Sequence, residues 1–102
     1  MDAPKHEGIT VHFSGSDWVV PPLSLGQIKR LMPNFQVLQE GQLSIRLIDS
    51  TLQVIHAALS RNYPALQLED VEELVDLASM PIILDAIMRA SGLVKSGEVK
   101  AG

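Results

Sequence analysis

The sequence predicts an α+β fold, with one N-terminal β-hairpin packed on a mainly helical bundle of about four helices. Three observations carry this expectation. Ile9, Val11 and Phe13 alternate with Thr10 and His12, the period-2 pattern of a half-buried strand. Beyond Pro22 the apolar residues recur at helical spacing. Of 102 residues, 46% are apolar and 20% charged, enough for one packed core and too apolar for a disordered chain.

Taken in order, residues 1–8 mix polar residues, Pro and Gly without period and read as a flexible leader. The strand at 9–13 runs into Ser14-Gly15-Ser16-Asp17, a turn cluster rich in residues that tolerate positive φ. Trp18-Val19-Val20 forms the second strand, so the hairpin spans 9–20, and Pro21-Pro22 ends it because proline cannot donate to a ladder. Trp18 is expected to seat the hairpin on the bundle, burying on the order of 200 Å² if enclosed.

Ser24 and Gln27 have capping-box spacing and open a helix at about 24–32, which Pro33 is expected to end; residues 34–42 are ambiguous, with a break at Gly41. The longest helix spans about 43–61 and closes at Asn62-Tyr63-Pro64, since a residue before proline leaves the helical region. On it Ile45, Ile48, Leu52, Ile55 and Leu59 form one apolar stripe, with Leu43, Leu47, Val54 and Ala58 beside it. Arg46, Asp49, Ser50, Gln53 and Ser60 mark the polar side. Such a helix is either central in a bundle or packed on a partner. Arg61 and Tyr63 flank its end and are expected to cap the last carbonyls of this helix, the alternative being a recognition corner. A third helix at about 69–78 points Val71, Leu74, Val75 and Ala78 inward and carries acids at its start. Pro81 opens a fourth, at about 82–91, which Gly92 ends. Residues 93–102 read as a flexible tail, leaving 9–92 as one domain.

Composition excludes several functional classes. The net charge of −4 opposes a nucleic-acid backbone, so no nucleic-acid partner is expected. A helix-turn-helix reading fails because the third helix opens with acids and the fourth with Pro81-Ile82-Ile83. Without cysteine there is no disulfide, thiolate metal site or Cys nucleophile. No apolar run reaches the roughly 20 residues that span a membrane, and the first eight residues hold no apolar signal core. His6, His12 and His56 fall in three different elements without metal-ligand spacing, and no nucleophile elbow, phosphate loop or dinucleotide fingerprint occurs. The acids between Glu69 and Asp76 read as a solvated helix face. The expectation is a binding protein with no catalytic residue, cofactor or metal. Asp49-Ser50-Thr51-Leu52 resembles the phosphopantetheine site of acyl carrier proteins, which would make Ser50 a modification site. Here, however, the serine falls inside a helical pattern rather than at a helix start.

Three stretches together carry a broader resemblance: Trp18-Val19-Val20-Pro21-Pro22-Leu23-Ser24-Leu25-Gly26-Gln27; the run from Val54 to Pro64 followed by Glu69 to Leu77; and Ala90-Ser91-Gly92. This pattern, over residues 9–92, resembles the tail assembly chaperones of long-tailed bacteriophages. The resemblance implies a protein of phage or prophage origin that acts in the host bacterial cytoplasm. It would bind the tail tape measure protein, keep it soluble while tail tube subunits assemble, and stay out of the mature virion. Tail tube subunits and a second copy of the chain are further candidate partners, and a structural tail or head–tail connector protein is the alternative. Many family members also exist in a longer, frameshifted form. Met80, Leu84 and Met88 recur at i, i+4 and i+8 on the fourth helix and, with Ile48 and Ile55, are the candidate partner-binding residues. The competing reading places the same stripe in the monomer core.

Overall fold

A computed structural model describes residues 6–93. It has a two-stranded antiparallel hairpin, β1 (Ile9–Phe13) and β2 (Ser16–Val20), followed by helices α1 (Leu25–Glu40), α2 (Ile45–Leu59), α3 (Leu68–Leu74) and α4 (Met80–Ala90). The α+β class and the count of four helices stand as the sequence predicts. The expected tail from residue 94 onward lies outside the described residues.

Ser14 and Gly15 both take positive φ, 53° and 78°, as a two-residue type I′ turn requires. The register pairs Ile9 with Val20, Val11 with Trp18 and Phe13 with Ser16. Val11, Phe13 and Val20 therefore share the face turned to the core, while Thr10, His12 and Asp17 are exposed. Trp18 is half-buried. It stacks on Phe13 at 5.2 Å and meets the Tyr63 ring edge-on at 5.1 Å, which ties the hairpin to the bundle.

The core forms where α2 and α4 meet the inner face of the hairpin. Val54, Ile55, Leu59, Ile83 and Ile87 are completely enclosed there. α2 is central: it packs on α1, α3, α4 and β2, which accounts for its wide apolar circumference. It spans less than the expected 43–61: Ser44 caps it, so Leu43 lies before the helix, and both Leu43 and Ile45, expected on its apolar stripes, stand in solvent. Ser50, expected on the polar side, is buried.

Other helix boundaries also differ from expectation. The capping box of Ser24 and Gln27 opens α1 as predicted, but the helix runs through Pro33 and stops at Gly41 in the left-handed conformation. Proline removes one hydrogen bond to the carbonyl four residues back, that of Lys29. Lys29 and Pro33 both lie on the exposed side, so water can satisfy that carbonyl. Meanwhile Ile28, Leu31, Phe35 and Leu38 continue one apolar stripe onto the core. Packing thus outweighs the local break. α3 is shorter than expected and ends at Leu74, with Val75 extended and Ala78 exposed rather than inward. Glu69, Glu72, Glu73 and Asp76 repel one another at helical spacing. Asp76 instead bonds Ser79 reciprocally, its Oδ1 accepting from the Ser79 N–H at 2.9 Å and its own N–H donating to Ser79 Oγ at 3.0 Å. α4 accordingly starts at Met80, with Pro81 in its first turn and Gly92 at positive φ after its end.

The backbone N–H groups of Arg61 and Tyr63 do bond the Ala58 and Leu59 carbonyls at the end of α2, at 3.2 and 2.8 Å, but their side chains do not cap it. Together with Asn62 they staple the outer edge of β2. The Val19 N–H donates to Tyr63 Oη at 2.9 Å, Asn62 Nδ2 donates to the Val19 carbonyl at 3.2 Å, and the Arg61 guanidinium donates to the Pro22 carbonyl. Asn62 is buried and also exchanges two bonds with the His6 backbone, at 2.7 and 2.9 Å. The last residues of the expected flexible leader are therefore held down, and Gly8 lies so close to Val20 that a Cβ would sit 1.9 Å from its carbonyl oxygen.

Candidate functional site

α4 presents three faces. Ile83, Ala86 and Ile87 face the core; Met80 and Leu84 form one flank; Ile82, Asp85 and Arg89 form the other. Beside the first flank the ends of three helices leave two adjoining apolar hollows. One, of about 270 Å³, lies between Leu38 and Gly41 at the end of α1, Leu47 on α2, and Leu77, Met80 and Leu84. The other, of about 230 Å³, lies between Ile48 and Leu52 on α2, Glu72 on α3, and Leu77 and Met80. Leu77 and Met80 border both, so the two hollows form one continuous groove.

The surface of this groove is mostly hydrocarbon. Thr51, on its wall, donates its hydroxyl to the Leu47 carbonyl at 2.8 Å and so satisfies itself within α2. Leu77 is 60% exposed and Ile45, at the adjacent start of α2, 79%, a large apolar exposure for so small a domain. Acids mark one rim, Glu72 and Asp76. The Asp76 carboxyl is held below its ordinary pKa, first by the Ser79 backbone N–H and then by the Ser79 hydroxyl, so it is ionised at neutral pH.

Of the five residues the sequence singles out, three come together. Met80, Leu84 and Ile48 are half-buried and line the groove. Ile55 does not: with no exposed surface it is core, because it sits about two helical turns beyond Ile48 along α2, where α2 is enclosed by its neighbours. Met88 is half-buried but borders neither hollow. Sequence reasoning missed Leu77, Leu47 and Leu38. Leu77 carried a signal, as a lone large apolar residue in a turn of acids and small residues. Leu38 was hidden by the assumption that Pro33 ended its helix.

The other candidate chemistries find little support in the geometry. Ser50 is 8% exposed inside α2, poorly placed for a modifying enzyme. His12 bonds Asp17 across the hairpin at 2.7 Å, and His56 Nε2 donates to the Leu66 carbonyl at 2.9 Å. Among the described residues no three His, Asp or Glu side chains gather to hold a metal ion, and no helix is long and apolar enough to cross a membrane. The fold and groove define a small α+β domain whose main surface feature is an apolar cleft between helix ends. The chain matches no protein-family model, no curated protein and no solved structure.

Proposed function

We propose that this chain is a non-catalytic tail assembly chaperone of a bacteriophage or prophage, acting in the host bacterial cytoplasm and left out of the finished virion. Its client is a helical segment of the tape measure protein. The observation that carries the reading is the groove bordered by Leu47, Ile48, Leu77, Met80 and Leu84, which suits the apolar stripe of an amphipathic helix better than a small polar ligand. Methionine at its centre adapts to varied side chains, a useful property for holding a long client whose sequence changes along its length. The sequence resemblance over residues 9–92 supplies the phage context.

Co-expression with the tape measure protein of the same phage tests this. The wild-type chain is expected to keep the client soluble and to co-purify with it, whereas Leu77→Asp and Leu84→Asp abolish both while far-UV circular dichroism stays unchanged. Recovery of the chain in purified virions instead would favour a structural tail or connector protein.

A further inference from the structure

The two edges of the hairpin are treated differently. In a two-residue hairpin the pair flanking the turn exchanges hydrogen bonds, so Phe13 and Ser16 do so here, and the alternation continues through Val11–Trp18 and Ile9–Val20. Thr10, His12, Asp17 and Val19 therefore aim their backbone groups outward. On β2 the outward groups of Val19 are taken by Tyr63 and Asn62. On β1 no group among the described residues meets the outward N–H and C=O of Thr10 and His12. An open strand edge is a template for another strand.

Beside this open edge lies a groove of about 490 Å³. It is walled by β1 from Ile9 to His12 and by Ile82, Asp85 and Arg89, the flank of α4 opposite the client groove. Ile82 is 59% exposed there. We infer that a second copy of this chain occupies this edge, the two β1 strands pairing antiparallel about a two-fold axis at Val11 to form one four-stranded sheet. In that register Thr10 of each copy lies opposite His12 of the other and exchanges both of its outward hydrogen bonds with it, so each edge satisfies the other.

Two further features fit this occupant. α4 packs against both strands of the hairpin, and a helix midway beneath them stands about one strand spacing from the proposed axis. With strands about 4.8 Å apart, the two copies of α4 come to lie roughly 10 Å apart, near the usual distance of packed helices. The facing flanks are also self-complementary. Asp85 and Arg89, which pair within one chain at 2.9 Å, meet their opposites when the helices run antiparallel, and Ile82 loses its exposure. The inference does not depend on the proposed function, since it uses the opposite flank of α4.

Sedimentation equilibrium of the full chain over a wide concentration range tests it. The expected result is a reversible dimer of twice 11.1 kDa. His12→Pro removes an outward N–H without touching the β1–β2 ladder and is expected to give a monomer, as is Ile82→Lys, which leaves the core untouched. Asp85→Arg weakens the dimer at least tenfold, and adding Arg89→Asp restores it, a recovery that a folding defect would not give. In hydrogen exchange the Thr10 and His12 amides are protected in the wild type at high concentration and exposed in Ile82→Lys. A chain that stays monomeric at every concentration, or a dimer that survives both His12→Pro and Ile82→Lys, overturns the inference.

Discussion

Asn62 joins three parts of the chain that are far apart in sequence, and its removal has a magnitude that can be worked out. Asn62→Ala deletes three hydrogen bonds, two exchanged with His6 and one donated to the Val19 carbonyl. A typical internal hydrogen bond contributes about 1 kcal/mol net, and orphaned buried partners raise the loss. Because His6 is only half-buried, water can reach part of what is left behind. The expected destabilisation is about 2–3 kcal/mol, which for a domain of this size lowers Tm by roughly 10–20 °C. Urea unfolding followed by circular dichroism measures it, with the midpoint falling and the slope unchanged. Tyr63→Phe removes the acceptor for the Val19 N–H and should cost about 1 kcal/mol. Since both side chains meet at Val19, the double variant should show coupling of at least about 0.5 kcal/mol. A change for Asn62→Ala below about 0.5 kcal/mol, the range of ordinary surface substitutions, would refute the claim that these bonds hold the hairpin to the bundle.

Ile55→Ala opens a cavity in the core and is expected to destabilise the domain by about 3–4 kcal/mol. Leu77→Asp, on the groove, should change urea stability by less than about 1 kcal/mol. Pro33→Ala should stabilise α1 by about 1–3 kcal/mol by restoring the bond to the Lys29 carbonyl, and an unchanged or lower urea midpoint would contradict that account. Gly8→Ala and Gly15→Ala should both lower Tm, for different reasons. The first forces a Cβ onto the Val20 backbone, at about 1–3 kcal/mol, and the second sits in open space but at positive φ, at about 1 kcal/mol. Asp76 titrates below its ordinary 3.8, so its contribution to stability is complete above that pH and is lost as pH falls through its lowered folded-state value. Ser79→Ala should move the carboxyl back toward 3.8 in a carbon-13 NMR titration, and an unmoved curve would remove the hydroxyl from the explanation.

What was legible in the sequence is what local chemistry encodes. The alternation of Ile9, Val11 and Phe13 and the Ser24–Gln27 capping box each specify a conformation within a few residues, and each is present. The turn falls within the cluster Ser14-Gly15-Ser16-Asp17 but takes only Ser14 and Gly15, with Ser16 and Asp17 already in β2. The α1 boundary was misread because proline was weighed alone. The stripe Ile28, Leu31, Phe35 and Leu38, at spacings of three and four, crosses the proline, and the reading of residues 34–42 as ambiguous did not take it into account. Of the groove, the Met80 and Leu84 flank was legible as periodicity, but periodicity cannot tell which turn of a helix is enclosed, which is why Ile55 and Ile48 have different fates. The Arg61-Asn62-Tyr63 staple was not legible at all. Its bonds join side chains to backbone about 40 residues or more away, and such pairings leave no pattern along the chain.

The way α1 is attached has a consequence for motion. It packs chiefly on α2, with side-chain bonds from Gln27 to the Ala57 carbonyl and from Asn34 to Gln53, and Val37 is its one buried residue. Its ladder is already interrupted at Pro33. Such an element is expected to open at a lower free energy than the global unfolding that frees α2 and α4, and hydrogen exchange would then show its amides exchanging through a partial opening while the hairpin stays folded. When α1 lifts, Leu38 leaves the cleft wall and the α2 surface that α1 covered joins the cleft. The extent of the cleft would then vary with this opening, and a ligand that clamped α1 down would appear as slowed exchange along its whole length.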